Sequence, residues 1–317
     1  MRSSSFKEIL DSKLKAHGFD SQLVDMDKPL LPQISDAEVI VNGSVIVDRS
    51  IIDSCPELKL VHQAGIGYDN IDLKSCTSKS IFVANVPLAN SVSVGEHALF
   101  LMILLAKNLQ LASASFMRRR NPGTMGIELY GKTLLVVGLG ATGIEVAKRA
   151  KAFGMNVIAT TKDPVGDRPG RENTFFADEV RGPEALSDFI PRADIISLHV
   201  PLTEETRGLI AGKEFSMMKS SALLVNVARA AIVDRDSLFN ALKQKTIAGA
   251  AFDVFWEEPP DPNDVLLQLD NFVLTPHIAG WTRESVNAIA GVIAANIVRV
   301  SEGNTPLTLV NSELLGQ

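Results

Sequence analysis

Cysteine is nearly missing from this chain. Among 317 residues only Cys55 and Cys76 occur, and neither stands in a CxxC or Cys/His cluster. That argues against a disulfide framework and a structural zinc site, and it fits a reducing compartment. Long apolar runs are missing too. The longest, Ala98–Ala106, has nine residues, too few to cross a bilayer. Residues Met1–Phe19 are polar and of mixed charge, with no apolar core of a secretory signal. Positive charge is in deficit: 31 Lys and Arg against 37 Asp and Glu leave −6. Such a balance makes a poor generic binder of nucleic acid or anionic membrane. Glycine (22) and proline (15) are ordinary in number, and no repeat of fixed period is present, so fibrous and solenoid readings drop out. What is abundant is apolar residues, at 46%, enough for sizeable cores rather than disorder. At about 150 residues per domain the length implies two domains. The expectation is a soluble cytoplasmic protein with no nucleic-acid or membrane partner.

Short apolar runs alternate with helix-length amphipathic segments. The runs are Val39–Val41, Leu58–His62, Ile81–Val86, Thr133–Val137, Asn156–Ala159, Ile195–Val200, Ala222–Val227, Ala248–Val254 and Phe272–Leu274. Continuous rather than alternating apolar character marks parallel strands covered on both faces. The fold class expected is α/β with parallel sheets. Seams are expected at Asn90–Glu96 and Gly280–Ser285, before the helices at His97–Gln110 and Val286–Val300. The first domain then comprises residues 1–94 with 284–317, and the second 95–283. Arg118, Arg119 and Arg120 read as a solvated basic loop or as an arm reaching a partner subunit.

Gly138-Leu139-Gly140-Ala141-Thr142-Gly143 follows one apolar run and opens an amphipathic helix. In that strand–turn–helix setting GxGxxG is a dinucleotide fingerprint. Gly138 allows the tight turn, Gly140 the approach of a pyrophosphate, and Gly143 close helix–strand packing. The amides opening the helix bind the anion. About twenty residues on, an NAD-type site places an acid for the ribose 2′-hydroxyl. Here the strand ends in Thr161-Lys162-Asp163. Thr161 removes repulsion against a 2′-phosphate, and Lys162 can pair with it, with Arg168 or Arg171 assisting. NADP(H) is favoured on this count. Asp163 keeps NAD(H) open.

Three charged residues follow the last apolar runs: Arg229, Glu258 and His277. In an open parallel sheet ligands bind outside the carboxyl ends of the strands, so residues distant in sequence converge there. Hydride transfer to a carbonyl needs a proton donor, and histidine suits that at neutral pH. A carboxylate beside it favours the imidazolium. A guanidinium matches a carboxylate in fork geometry.

The chain resembles the D-isomer-specific 2-hydroxyacid dehydrogenases. The matching segments are HQAGIGYDNID at 62–72, NSVSVGEHAL at 90–99, GKTLLVVGLGATG at 131–143, ADIISLHVPLTEETRGLI at 193–210, LLVNVARAAIVD at 223–234, GAAFDVFWEEP at 249–259 and LTPHIAGWT at 274–282. The resemblance implies two Rossmann-like, doubly wound parallel-sheet domains with the active-site cleft between them. It implies catalytic roles for Arg229, Glu258 and His277. Arg229 would bind the substrate's carboxylate and carbonyl, and His277, which also borders the cofactor, would donate the proton with Glu258 as partner. Asp253 would face the nicotinamide carboxamide, Ala228 and Pro201 would line the cofactor site, and Val94 would lie near hinge and nicotinamide. Backbone amides near Ala64, Gly65 and Ile66 would hold the substrate carboxylate. A homodimer would form through the helix and arm at 97–126. There are departures. Thr161 stands where NAD-type members carry Asp, and Ala141-Thr142 where many carry Arg-Ile. Glu258 stands where formate dehydrogenases carry Gln. Trp256 and Trp281 flank the trio as pocket or packing residues.

The leading expectation is an NADPH-favouring reductase of a small 2-oxo acid, glyoxylate or hydroxypyruvate, to the D-2-hydroxy acid. Two alternatives stay open: a nucleotide-controlled corepressor-like binding protein on the same fold, and a dehydrogenase of phosphite- or phosphonate-type acids.

Overall fold

A computed structural model of the chain describes residues 2–118, 125–163 and 176–316. Arg119, Arg120, Arg168 and Arg171 lie outside the described residues. The chain divides into two compact units, Met1–Asn90 with Trp281–Gln317, and Ser91–Gly280.

The smaller unit carries β1 (Val39–Asn42), β2 (Leu60–Gln63) and β3 (Phe82–Ala84). They form a parallel sheet in the order β1-β2-β3. Side chains alternate between faces along each strand. Leu60 and Ala84 join one apolar cluster, with Leu10, Leu14, Ile289, Ile293 and Ile297. Val61 and Val83 join the other, with Ile52, Ile71 and Cys76. The first cluster brings together the helices Arg2–Leu14 and Arg283–Ser301, from opposite ends of the chain. The latter helix is capped by Thr282, whose hydroxyl accepts from the Ser285 amide at 3.2 Å. Buried polar groups tie the late residues to the early strands. Asn311 accepts from the Val83 amide (2.8 Å) and donates to the Ile81 carbonyl (2.9 Å). Asn296 lies 2.9 Å from His62 Nε2 and donates to Thr308 Oγ1 at 2.8 Å.

The larger unit holds β4 (Thr133–Val137), β5 (Asn156–Thr160), β6 (Glu179–Arg181), β7 (Ile195–Leu198), β8 (Leu223–Asn226), β9 (Gly249–Phe252) and β10 (Phe272–Leu274). All seven are parallel, in the order β10-β9-β8-β7-β4-β5-β6. Leu134 and Val136 pack on one face with the helices Ser91–Ala106 and Ala141–Ala152. Leu135 and Val137 pack on the other with Phe189, Phe215, Leu238 and Phe252. Coverage on both sides is why β4 reads as unbroken apolar sequence. Nine strands fall on the expected runs. β6 was not among them: its Glu179-Val180-Arg181 pairs with β5 alone at the sheet edge.

The segment expected as a helix and arm at 97–126 is described as two helices, Ser91–Ala106 and Leu109–Met117, bent by 56°. Among the described residues no single helix is long and apolar enough to cross a membrane, although this bent pair passes that test jointly. Ten residues of the first helix are buried in the larger unit.

Candidate active site

In the larger sheet the chain runs from β4 outward to β5 and β6, then returns to β7 on the other side of β4. Strands β4 and β7 thus diverge at a topological switch point, where open α/β sheets bind ligands. Gly138 leaves β4 there with φ +100°. A Cβ on it would stand 2.8 Å from the His199 carbonyl carbon, just past β7. A Cβ on Gly143 would stand 2.1 Å from the Gly138 oxygen. Both glycines are therefore demanded by the fold itself. Gly140 is different: a Cβ there would meet no protein atom within 4 Å. It is the N-cap of the helix Ala141–Ala152, and no side chain caps that helix. Its opening amides, the +0.5 charge equivalent of the helix dipole and the open face at Gly140 together suit a pyrophosphate. The loop is tied to β5, since Gly138 and Leu139 both donate to the Thr160 carbonyl at 2.9 and 3.1 Å.

Past β5, the Thr161 amide donates to the Arg181 carbonyl at 3.0 Å, Lys162 is exposed, and no carboxylate stands at 161. Past β7, His199 Nε2 meets the Ser197 hydroxyl at 2.8 Å, while its buried Nδ1 has no hydrogen-bond partner among the described residues. Burial of the ring pulls its pKa to about 3, so it is neutral. Pro201 is exposed, its carbonyl accepting from Thr206 Oγ1 at 2.6 Å. Val94 is buried in the first turns of the helix Ser91–Ala106.

The three charged residues stand beyond β8, β9 and β10, neighbouring strands of one sheet. Arg229 is half-buried and donates Nη1 to the Ala228 carbonyl at 2.9 Å. Its turn is held by Asn226, fully buried, which accepts from the Ala228 amide (3.0 Å) and donates to the Arg229 carbonyl (2.9 Å). Glu258 Oε1 accepts from the Phe255 amide at 2.9 Å, and Oε2 lies 2.7 Å from His277 Nδ1. Burial pushes the Glu258 carboxyl up, but the His277 hydrogen bond and charge and the Phe255 amide outweigh it and hold it below the ordinary glutamate value. An ionised Glu258 only accepts, so His277 Nδ1 carries a hydrogen. That assigns Nε2 as the ring nitrogen able to exchange a proton with a ligand.

His277 sits at φ +53°, a left-handed conformation that costs a non-glycine residue about 1 kcal/mol. Asp253, 1% exposed, holds this turn. Its carboxylate accepts from the amides of Ile278 (2.9 Å) and Ala279 (2.7 Å), and from Thr275 Oγ1 (2.5 Å). Burial works to raise its pKa, yet His97, Thr275 and the two amides carry it below the ordinary aspartate value. Trp256 packs on Phe252 and Phe255 and donates its indole N–H to the Val233 carbonyl at 3.3 Å.

In the smaller unit, Ala64, Gly65 and Ile66 follow β2. The Ala64 amide donates to the Asn42 carbonyl at 2.7 Å, the Gly65 carbonyl accepts from Val86 (2.9 Å), and the Ile66 carbonyl from Asn85 Nδ2 (2.8 Å). A Cβ on Gly65 would meet nothing within 4 Å. Sequence reasoning missed Asn226, Thr275, Ser93 and His97. Each lies within a quoted motif, but the hydrogen-bond partner of a polar residue has no sequence signal.

A family model described as D-isomer specific 2-hydroxyacid dehydrogenase, NAD binding domain, matches residues 99–279. The D-3-phosphoglycerate dehydrogenase of Methanocaldococcus jannaschii is 42% identical over 285 residues, covering 89% of this chain and 53% of the relative. The chain thus spans about half the length of that protein. The glyoxylate reductase of Korarchaeum cryptofilum is 36% identical over 297 residues, covering 91% of this chain and 87% of the relative. Among solved structures, the D-lactate dehydrogenase of Aquifex aeolicus, complexed with NAD and lactic acid, superposes with a TM-score of 0.83 at 26% identity. It covers 98% of this chain and 97% of its own.

Proposed function

The chain belongs to the D-isomer-specific 2-hydroxyacid dehydrogenase family, and on that premise we propose that it reduces a small 2-oxo acid, glyoxylate or hydroxypyruvate, to the D-2-hydroxy acid, with NADPH favoured over NADH. The observation that carries this reading is the 2.7 Å His277–Glu258 pair, standing on the sheet whose switch point carries the glycine loop.

The residues divide the work. Gly138, Gly140, Gly143 and the opening amides at Ala141 and Thr142 hold the pyrophosphate. Thr161 and Lys162 accept a 2′-phosphate, a like-charge carboxylate being missing at 161. Ala228, Pro201 and Val94 border the remainder of the cofactor, with Asp253 at the carboxamide. The nicotinamide, when bound, supplies the hydride. Arg229 pairs with the substrate carboxylate through its fork of N–H donors. In the smaller unit the Ala64 amide is already given to Asn42, which leaves Gly65 and Ile66 as the amides of that turn able to take an anion. His277 Nε2 delivers the proton to the carbonyl oxygen, and Glu258 stabilises the imidazolium that delivers it.

A small, unphosphorylated substrate is supported by residues 64–72, which carry Asp69 and Asp72 but no Lys or Arg. A phosphoryl dianion would be unpaired there. A homodimer belongs to the same reading, supported by exposed Phe116 and Met117 on the helix Leu109–Met117. A cytoplasmic location is supported by two free, buried cysteines.

The test follows absorbance loss of NADPH and NADH in parallel, with glyoxylate, hydroxypyruvate, pyruvate and 3-phosphohydroxypyruvate. Faster NADPH loss with glyoxylate or hydroxypyruvate is expected. Faster NADH loss would move the ribose contact to Asp163 and overturn the cofactor preference. Turnover of the phosphorylated acid alone would overturn the substrate.

A further inference from the structure

Ser93 and His97 lie one helical turn apart on the helix Ser91–Ala106, so they share a face. Both reach the turn that carries His277, one on each side of it. Ser93 Oγ donates to the Ala279 carbonyl at 2.6 Å, two residues after His277. His97 Nε2 lies 2.9 Å from Thr275 Oγ1, two residues before it, and 3.4 Å from Asp253 Oδ1.

The direction of each bond follows from the charge on Asp253. Its carboxylate is ionised and accepts only. Thr275 has one hydroxyl hydrogen and gives it to Asp253 at 2.5 Å. The Thr275 oxygen can then only accept from His97. His97 Nε2 therefore carries a hydrogen and donates it toward Thr275 and Asp253 together. The chain of donors runs from His97 through Thr275 to Asp253. The amides of Ile278 and Ala279, immediately past His277, donate to the same carboxylate from the other side.

We infer that Ser93 and His97 are positioning residues for proton delivery, clamping the left-handed turn at His277 from both sides so that its ring meets Glu258. This rests on the reading of His277 as the proton donor. The turn is strained at φ +53°, and a strained backbone persists only where its surroundings over-determine it. Neither Ser93 nor His97 needs to touch substrate or cofactor for this role. What they determine is the geometry of the His277–Glu258 pair.

The experiment compares S93A, H97F, H97Q and H277A in the full chain. Readouts are kcat and KM for 2-oxo acid reduction, cofactor Kd by fluorescence, and Tm. In S93A and H97F, kcat is expected to fall about tenfold or more, the scale of a mispositioned proton donor. Cofactor Kd should stay within about twofold of the parent, a shift of about 0.4 kcal/mol. KM should stay near the parental value, because proton delivery and not binding is disturbed. Glutamine at 97 keeps an N–H donor, so H97Q should restore most of kcat. If H97F does not fold, S93A, which deletes one oxygen, carries the same comparison. The inference is overturned if S93A and H97F keep parental kcat while H277A loses turnover. It is overturned equally if their losses track Tm and Kd and H97Q gives no recovery. Parental turnover in H277A would instead bring down the underlying reading of His277.

Discussion

Glu258 acts on His277 in two ways that one substitution can separate. It orients the ring through the 2.7 Å bond to Nδ1, and its negative charge stabilises the imidazolium. Glu258→Gln keeps a hydrogen-bonding group and removes the charge. On the reading of His277 as proton donor, removing the charge while keeping the hydrogen bond should lower kcat about tenfold or more. Steady-state kinetics of the variant measure it, and a parental kcat would sever Glu258 from the proton. At this scale the sequence is partly legible. Arg229, Glu258 and His277 could be picked out because each closely follows an apolar run, and strand ends gather ligands. Asn226 could not, although it closes the Arg229 turn with both ends of its amide. Nothing in Leu-Val-Asn-Val says which backbone groups an asparagine will meet.

Elements were legible wherever both faces are covered. β4, β7 and β8 are buried along nearly their whole length, so their runs stand out from amphipathic helices. β6 has three residues, one of them apolar, and one strand neighbour. A short edge strand buries too little to leave a pattern. The helix Leu109–Met117 poses the opposite problem. Its composition is apolar, yet among its residues none is buried, and Phe116 and Met117 are 76% and 81% exposed. With Leu109 at 51% and Phe100 of the preceding helix at 46%, this is an apolar face that a single copy leaves in water. If it is the dimer contact, replacing Phe116 and Met117 together by Asp and Lys should halve the mass seen by light scattering. An unchanged mass would place the contact elsewhere.

For the whole molecule, acid is the informative stress. His62 is buried in the smaller unit, between the Gln63 carbonyl at 3.1 Å and Asn296 at 2.9 Å. Desolvation lowers its pKa from 6.5 to about 4, against the pull of the Gln63 hydrogen bond. The unfolded chain takes up a proton as pH falls below 6.5, while the folded chain resists until about 4. Stability is thus lost across that window, by up to about 3 kcal/mol from this one ring. Urea unfolding at pH 7 and 4.5 should show the loss, and His62→Gln should flatten it. An equal loss in both proteins would assign the acid sensitivity to other groups. His199, with pKa pulled to about 3, adds a similar term in the larger unit.

The smaller unit is discontinuous in a way that orders events during synthesis. Its sheet is written in the first ninety residues, but Ile289, Ile293 and Ile297 complete one face. Asn311 answers backbone groups of Val83 and Ile81, and Leu309 bridges Ala84. Those partners leave the ribosome after residues Ser91–Gly280 have been made. Residues Ser91–Gly280 are translated without interruption and can close on themselves while the early segment still waits. Domains usually mature in the order they emerge. Here the first-made strands wait for partners made after the larger unit, and the nascent chain must keep β1, β2 and β3 in escrow until the helix Arg283–Ser301 arrives.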